Sequence, residues 1–284
     1  SMVALPVSID TLGLIYNRDL LNEAGVISPP TTWDELVSLV PRLTKRDASG
    51  QVSQAAIALG GSGTTVPRAL DILSALMLQG GVVMVDQNWR GASFATRGGY
   101  EAANFYLQFS NPGSPLYTWN EGMPNALDAF AQGKAAMVLD YAASLPLIRE
   151  RNPLINIGAA PFPQRAGGGQ PRTFASYWGY AVSRQSKQAM LAAQFVAGLA
   201  TEDAALTAYL AEAKRPPANP RFIEDYAGNP ELAPFARQVL TAIAWPMPNE
   251  DETRGVFSAM LTTLIENRAS VETAVGRAQS DVSR

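Results

Sequence analysis

Neither cysteine nor histidine occurs among the 284 residues of this sequence. Their absence excludes serine–histidine and cysteine–histidine catalysis, which need the imidazole as a base. It also removes the thiolate and imidazole ligands of zinc, so we predict no metal site and no cofactor. A chain without cysteine suits an oxidising compartment, where stray thiols would be a liability.

Long hydrophobic runs and a strong net charge are also lacking. No apolar run approaches the roughly 20 residues of a membrane-spanning helix. The net charge is −3, which argues against a nucleic-acid partner and against binding to an anionic membrane surface. The chain is 47% hydrophobic and 17% charged. Such a composition is typical of a soluble globular protein, and the length suggests two domains, or one and a large part of another.

Short apolar segments alternate with helical patterns along the chain. We predict strands at 14–16, 55–59, 136–139, 155–161 and 177–182. We predict helices at 18–24, 66–79, 100–109, 126–132, 141–151, 187–199 and 202–213, the last capped by Thr201, and an almost entirely helical segment at 221–282. Strands that alternate with helices predict an α/β fold.

The most informative stretch is residues 7–36. A buried strand at 14–16 leads into a short helix that Gly25 ends, and Thr32 with Glu35 forms a capping box for the next helix. This stretch resembles the extracellular solute-binding proteins of ABC importers, especially the carbohydrate-binding group that includes maltose-binding protein. The resemblance implies that the stretch carries the first crossover between two lobes, near Asp10, and that the ligand binds at such crossovers.

Two further segments strengthen the resemblance. Residues 130–137 place a helix before Gly133-Lys134 and then a strand, and residues 157–163 lead through a loop to a returning strand at 178–183. Gly133-Lys134 is not a phosphate loop, because Asp128 and Ala135 stand where that motif needs glycine and serine or threonine. The resemblance spans nearly the whole chain and implies a periplasmic-binding-protein-like, two-lobe α/β architecture.

The sequence departs from the family at its start. Family members place strands and helices of the first lobe before the crossover, whereas here Val3 stands almost at it. About 100 residues, a small domain's worth, are therefore expected to be missing relative to the family. We expect a crossover remnant at 1–10, a complete main lobe at 11–177, a partial and mostly helical lobe at 178–245, and C-terminal helices at 246–284 that return to the main lobe.

Aromatic side chains carry the prediction of a ligand site. Sugars present C–H faces that stack on aromatic rings and hydroxyls that suit polar side chains. Tyr177 and Trp178 stand at a crossover strand, and Asp140 and Tyr141 follow the strand at 136–139, where the family places ligand contacts. For each aromatic residue alone, packing in the core is the more common role. Trp33, Trp89 and Trp119 are read as structural or surface residues.

Polar candidates complete the predicted site. Asp10 stands at the first crossover, where a carboxylate suits hydroxyl recognition or simply caps a turn. Gly61, Thr64 and Thr65 follow the strand at 55–59 and match a family position that touches ligand, although a plain polar loop fits equally. Arg254 lies near the third predicted crossover, at 244–248.

The resemblance implies the substrate-binding component of an ABC importer, which closes two lobes over a saccharide or another hydroxyl-rich solute without catalysis. Its expected partners are that solute and a membrane permease. Its expected location is periplasmic or extracellular, with a lipid anchor at the cell surface as one form. The face left by the missing segment is expected to be apolar and to pair with another copy or a partner chain.

Two other classes of protein are also compatible with the sequence. Asp10, Glu121 and Asp140 could supply the paired carboxylates of a glycoside hydrolase. Alternatively, the chain could be a non-transporting binding or scaffold protein that has lost its N-terminal part.

Overall fold

A computed structural model describes residues 4–88, 91–167, 169–226 and 228–283; Trp89 lies outside them. The strands are β1 Leu5–Thr11, β2 Gly13–Asn17, β3 Lys45–Arg46, β4 Val52–Ile57, β5 Ala135–Asp140, β6 Ile157–Pro161, β7 Thr173–Tyr180 and β8 Ala242–Ile243. The helices are α1 Arg18–Glu23, α2 Trp33–Leu43, α3 Ala69–Gln79, α4 Arg97–Leu107, α5 Ala126–Ala131, α6 Leu145–Arg151, α7 Ala189–Thr201, α8 Asp203–Ala213, α9 Ala233–Gln238, α10 Glu250–Ile265 and α11 Val271–Val282. Short 3-10 turns occur at Ala142–Ser144, Pro220–Phe222 and Glu224–Tyr226.

The strands form two separate sheets. The larger sheet has the order β3-β4-β5-β2-β6, and β2 runs antiparallel to both of its neighbours. The smaller sheet has the order β1-β7-β8, in which β1 and β7 are antiparallel. Since Leu12 alone separates β1 from β2, the chain passes from one sheet to the other at this residue. This passage lies next to Asp10, where the sequence analysis places the first crossover.

Local sequence signals explain where several helices begin and end. Thr32 and Glu35 form the predicted capping box at the start of α2. Gly25 and Gly133 have φ angles of 68° and 71°, a left-handed conformation that glycine adopts without strain after α1 and α5. These signals place the elements that flank β2 and β5, the two central strands of the larger sheet.

The apolar residues form two cores of very different size. The larger core surrounds the five-stranded sheet and extends into α10 and α11, whose residues include the fully buried Phe257 and Val275. The smaller core consists of Val7, Ala200, Leu206, Leu210 and Phe222. One lobe is thus complete, while the other is partial and mostly helical, as the sequence predicts.

The C-terminal helices pack on the larger lobe, because α10 contacts α3 and α11 contacts α4. Helix α9 lies between the sheets and contacts both β6 and β1. None of the helices in the described part of the chain is long and apolar enough to cross a membrane.

Some elements differ from the sequence prediction. Strand β1 is absent from the predicted strands, and β7 begins at Thr173 because its first residues also pair with β8. The extended link predicted at 244–248 is present. The prediction that the rest of 221–282 is almost entirely helical is wrong, since β8 and non-helical turns interrupt the helices. The predicted cap of α8 is also wrong: Thr201 ends α7, and its hydroxyl donates to the Ala197 carbonyl oxygen at 2.8 Å.

Candidate functional site

A cleft of about 280 Å³ opens where the two sheets meet. It lies between β7, the crossover that follows β8, and the first turns of α10. Its lining residues are Tyr141, Phe174, Ala175, Ser176, Tyr177, Ala244, Trp245, Pro246, Met247, Glu250 and Arg254. Three of the predicted site residues, Tyr141, Tyr177 and Arg254, therefore share one cavity, although they come from widely separated parts of the chain.

Arg254 brings charge to the cleft. Its Nη2 donates to both carboxylate oxygens of Asp71, at 2.9 and 3.2 Å, and to Glu250 Oε1 at 2.8 Å. Asp71 is fully buried in α3, and burial raises its pKa while Arg254 opposes the shift. Within the described residues Arg254 Nη1 makes no hydrogen bond, so its N–H groups can serve a ligand. Glu250 is exposed and supplies a hydrogen-bond acceptor beside them.

Tyr141 forms the wall of the cleft that is nearest to the larger sheet. Its ring lies under the Arg68 guanidinium, whose Cζ is 4.9 Å from the ring centroid. Arg68 Nε also donates to Asp140 Oδ1 at 2.9 Å. Asp140 is buried and accepts further bonds from the Tyr141 amide at 2.7 Å and from Ser144 Oγ at 2.9 Å. Asp140 thus holds both the Tyr141 backbone and the Arg68 side chain that covers the Tyr141 ring.

Asp10 lies at the crossover but is only 3% exposed. Its Oδ1 accepts from the amides of Thr11 and Ala142, at 2.9 and 3.0 Å, and its Oδ2 accepts from the Ala143 amide at 2.9 Å. Burial raises the pKa of Asp10 to about 6, although these three hydrogen bonds and the charge of Arg215 oppose the shift. Both carboxylate oxygens are therefore engaged by the protein's own backbone.

The loop at 61–65 is built around Glu121. The Glu121 carboxylate accepts from the Ser62 amide and hydroxyl, each at 2.7 Å, and from Thr65 Oγ1 at 3.1 Å. Thr65 and Gly61 are buried, whereas the Thr64 side chain is exposed. A Cβ atom at the next glycine, Gly63, would lie 3.0 Å from Ser258 Oγ of α10. The loop thus approaches α10 one turn beyond Arg254.

Tyr177 and Trp178 stand on the exposed part of β7, and their side chains are 56% and 72% accessible. Of the two, only Tyr177 lines the cleft. Trp33 and Trp119 are buried, and their ring N–H groups donate to Gln79 at 2.8 Å and to Thr65 at 3.2 Å. Their predicted structural role is confirmed.

Sequence reasoning missed several residues of the cleft and its support: Arg68, Asp71, Trp245 and Glu250. Trp245 is buried, and its ring N–H donates to Ser74 Oγ at 3.0 Å. The Trp-Pro-Met-Pro segment at 245–248 was the available signal, since it marks an extended link between helices. Arg68 and Asp71 gave no local signal, because their partners are distant in sequence.

A family model described as "Bacterial extracellular solute-binding protein" matches residues 1–206. The chain belongs to this family. The family resemblance predicted from the sequence is therefore confirmed.

One curated relative is a sugar-binding protein with a longer chain. The multiple sugar-binding protein of Streptococcus mutans is 25% identical over 222 residues, which are 70% of this chain and 47% of that protein. The chain thus spans about half the length of this curated relative.

Solved structures agree on the fold. A solute-binding protein from Thermotoga lettingae bound with α-D-tagatose has a TM-score of 0.76 at 21% identity, and it aligns with 99% of this chain and 71% of its own. The cyclic α-maltosyl-1,6-maltose binding protein from Arthrobacter globiformis has a TM-score of 0.77 at 23% identity with the same coverage. The predicted two-lobe α/β class is confirmed, with one lobe incomplete relative to these structures.

The comparisons give no support to the hydrolase alternative, because the matching proteins are binding proteins of ABC transporters. The three carboxylates of that alternative are also spread over two places: Asp10 and Asp140 flank the Tyr141 backbone, and Glu121 holds the loop at 61–65. Across the residues that the structure covers, no group of three acidic side chains could hold a metal ion.

Proposed function

We propose that this chain is the substrate-binding component of an ABC importer. It binds a saccharide or another hydroxyl-rich solute in the cleft between its lobes, by hinge closure and without catalysis. The observation that carries the proposal is the cleft itself: it lies at the junction of the two sheets and joins an aromatic wall to a charged corner. Ligands of α/β proteins commonly bind at such junctions.

The chemistry of the cleft suits a sugar. Tyr177 offers an exposed ring on which the C–H face of a sugar can stack. Arg254 Nη1 can donate to a ligand hydroxyl, and Glu250 can accept from one. Trp178 and Thr64 stand exposed nearby and would contact a larger ligand. Asp10, Gly61, Thr65 and Asp140 would shape the site and not touch the ligand directly, since their polar groups are buried and bonded within the protein.

The proposed partners follow from the same function: a small solute in the cleft and a membrane permease that reads the closed form. The family is extracellular by its description, and we propose a periplasmic or extracellular location, which includes a lipid-anchored form.

The smaller sheet carries an apolar face that supports self-association. Strand β8 pairs with β7 only at Thr173 and Phe174, so that edge of β7 has no strand beside 176–180 among the described residues. Helix α7 exposes Met190 and Phe195, which are 78% and 71% accessible. Exposed apolar side chains of this kind are typical of an interaction site when they form one patch. We propose that this face pairs with a second copy or with the remainder of a two-lobe protein.

Binding of a saccharide panel tests the function. The chain would be titrated with maltotriose, tagatose, glucose and raffinose, followed by NMR shift changes, which detect weak binding. We expect Tyr177→Ser to weaken binding about threefold to tenfold, because a stacked ring contributes about 0.5–1.5 kcal/mol. Phe195→Ser, which changes a more exposed aromatic residue outside the cleft, serves as the control and should bind like the wild type. Saccharide affinity that is unchanged in Tyr177→Ser would contradict the proposed cleft.

A further inference from the structure

Two carboxylates hold the turn that follows β5. The Tyr141 amide donates to Asp140, and the next two amides, of Ala142 and Ala143, donate to Asp10 at 3.0 and 2.9 Å. Three successive N–H groups at the start of a 3-10 turn are thus all taken by acidic side chains. Such groups have no partner within the turn itself and need one from outside.

The two carboxylates come from different sheets. Asp140 ends β5 in the larger sheet, whereas Asp10 belongs to β1 in the smaller sheet and pairs there with Ser176 of β7. The bonds from Asp10 therefore tie the smaller sheet to the backbone of the larger lobe. The neighbouring Thr11 is tied as well, since its hydroxyl donates to the Phe235 carbonyl oxygen at 2.9 Å.

Tyr141 is the residue that this arrangement immobilises. Its amide is bound by Asp140, its ring is covered by Arg68, and the two residues after it are bound by Asp10. Its side chain lines the cleft. A shift of Asp10 relative to the larger sheet would thus displace the backbone directly behind the cleft wall.

We propose that Asp10 and Asp140 form a carboxylate clamp on the amides of residues 141–143, and that through this clamp Asp10 is a positioning residue for the Tyr141 wall of the cleft. The clamp is a property of the free protein. Its effect on ligand binding rests on the function proposed above.

The surroundings of Asp10 allow the clamp to be switched by protonation. Burial raises the pKa of Asp10 to about 6. The positive charge of Arg215, in the segment after α8, opposes this rise in pKa. The other charged groups near the clamp are Asp140 and Arg68, which form an ion pair beyond Tyr141. A proton on Oδ2 would oppose the N–H of Ala143, since both groups are donors. Asp10→Asn places an amide at the same position and imitates this protonated state.

Amide NMR spectra of the full chain without ligand test the clamp. Between pH 7.5 and 4.5, we expect the Ala143 amide resonance to move with a midpoint near pH 6 and the Tyr141 ring resonances to move with it. In Asp10→Asn both sets should be displaced and should lack that midpoint. Asp225→Asn, which changes an exposed aspartate in a 3-10 turn, is the control and should titrate like the wild type.

Two outcomes would overturn the clamp. The Ala143 amide would show no midpoint near pH 6, or Asp10→Asn would move that amide while the Tyr141 ring resonances stay in place. The second result would leave Asp10 as a backbone anchor without influence on the cleft wall.

A mutant cycle tests the link to binding, with maltotriose as the probe at pH 7. We expect Asp10→Asn to weaken binding about threefold, and to cause no further loss when combined with Tyr141→Leu, because the effect passes through Tyr141. If the double variant instead loses affinity by the product of the two single losses, Asp10 acts independently of Tyr141. If maltotriose and the other sugars fail to bind any variant, the proposed function fails while the NMR result still decides the clamp.

Discussion

Asp10 is a residue on which burial and hydrogen bonding act in opposite directions. Burial wins and raises its pKa to about 6, against 3.8 for an ordinary aspartate. Because the folded-state pKa is the higher one, the folded protein binds the proton more tightly than the unfolded chain. The contribution of Asp10 to stability therefore increases as the pH falls from 7 towards 4, by on the order of 3 kcal/mol.

Urea unfolding at several pH values measures this effect. The free energy of unfolding of the wild type minus that of Asp10→Asn should increase steadily from pH 7 to pH 4, since asparagine does not titrate. The free energy of unfolding of the wild type minus that of Asp225→Asn should not change with pH. If the difference for Asp10→Asn also does not change with pH, the raised pKa of Asp10 is contradicted.

Gly61 occupies a position that excludes a larger side chain. A Cβ atom there would overlap Thr65 Oγ1 and would lie 2.9 Å from Trp119 Nε1. We expect Gly61→Ala to destabilise the fold by about 1–3 kcal/mol, because overpacking forces buried groups to shift. Gly276→Ala in α11, where a Cβ would meet nothing within 4 Å, should leave the melting temperature unchanged or slightly higher. Equal melting temperatures for the two variants would show that the loop at 61–65 adapts freely.

At the scale of elements, the ion pair between Asp71 and Arg254 joins α3 to α10. Arg254→Met would leave the fully buried Asp71 carboxylate without its hydrogen-bonded cation, with Arg68 as the remaining positive charge, so we expect a loss of about 3–5 kcal/mol at pH 7. The loss should be smaller at pH 4, because burial raises the pKa of Asp71 and a protonated carboxyl no longer needs a cation. Denaturant unfolding at both pH values measures it. Arg97→Met, which removes an exposed pair with Glu101, should cost less than about 1 kcal/mol. A loss that is equal at both pH values would place its cause outside Asp71.

Elements with local signals were predictable, and contacts between distant residues were not. The capping box of Thr32 and the glycines at 25 and 133 act within a few residues, so the sequence alone predicts them. Asp71 and Arg254 are separated by 183 positions, and no local pattern relates them. Tyr141, Tyr177 and Arg254 were named from the family resemblance and the predicted crossovers, and all three line one cavity. The internal use of the Asp10 carboxylate was not, because it depends on how β1 meets the turn after β5.

At the scale of the whole molecule, we propose that the exposed apolar side chains of β7 and α7 mediate self-association. We expect the chain to form dimers or larger species with rising concentration, as measured by sedimentation velocity. Replacement of Met190 and Phe195 by Asp should shift the chain to monomer, because charge on the face cannot be buried cheaply. Ile27→Asp, which changes an exposed residue outside this face, should leave the association unchanged. A wild type that stays monomeric at all concentrations would contradict the association.

We also expect this chain to bind saccharides only weakly. A cleft shared by two lobes contacts the ligand from both sides, and every 1.4 kcal/mol of lost contact energy is about tenfold in affinity. A longer version, in which an upstream segment completes the smaller lobe, should bind at least a hundredfold more tightly in calorimetry. Equal and tight binding by both versions would show that the cleft described here is not the site.

The order of the strands in the larger sheet affects when this sheet can form during synthesis. Strand β2 lies between β5 and β6, which follow it by on the order of 120 residues or more. At a synthesis rate of about 5–20 residues per second, β2 leaves the ribosome many seconds before either neighbour exists. Strand β2 can pair with β5 only after β5 has emerged, and the edge strand β6 completes the sheet later still. The larger sheet therefore stays incomplete until more than half of the 284 residues have been made.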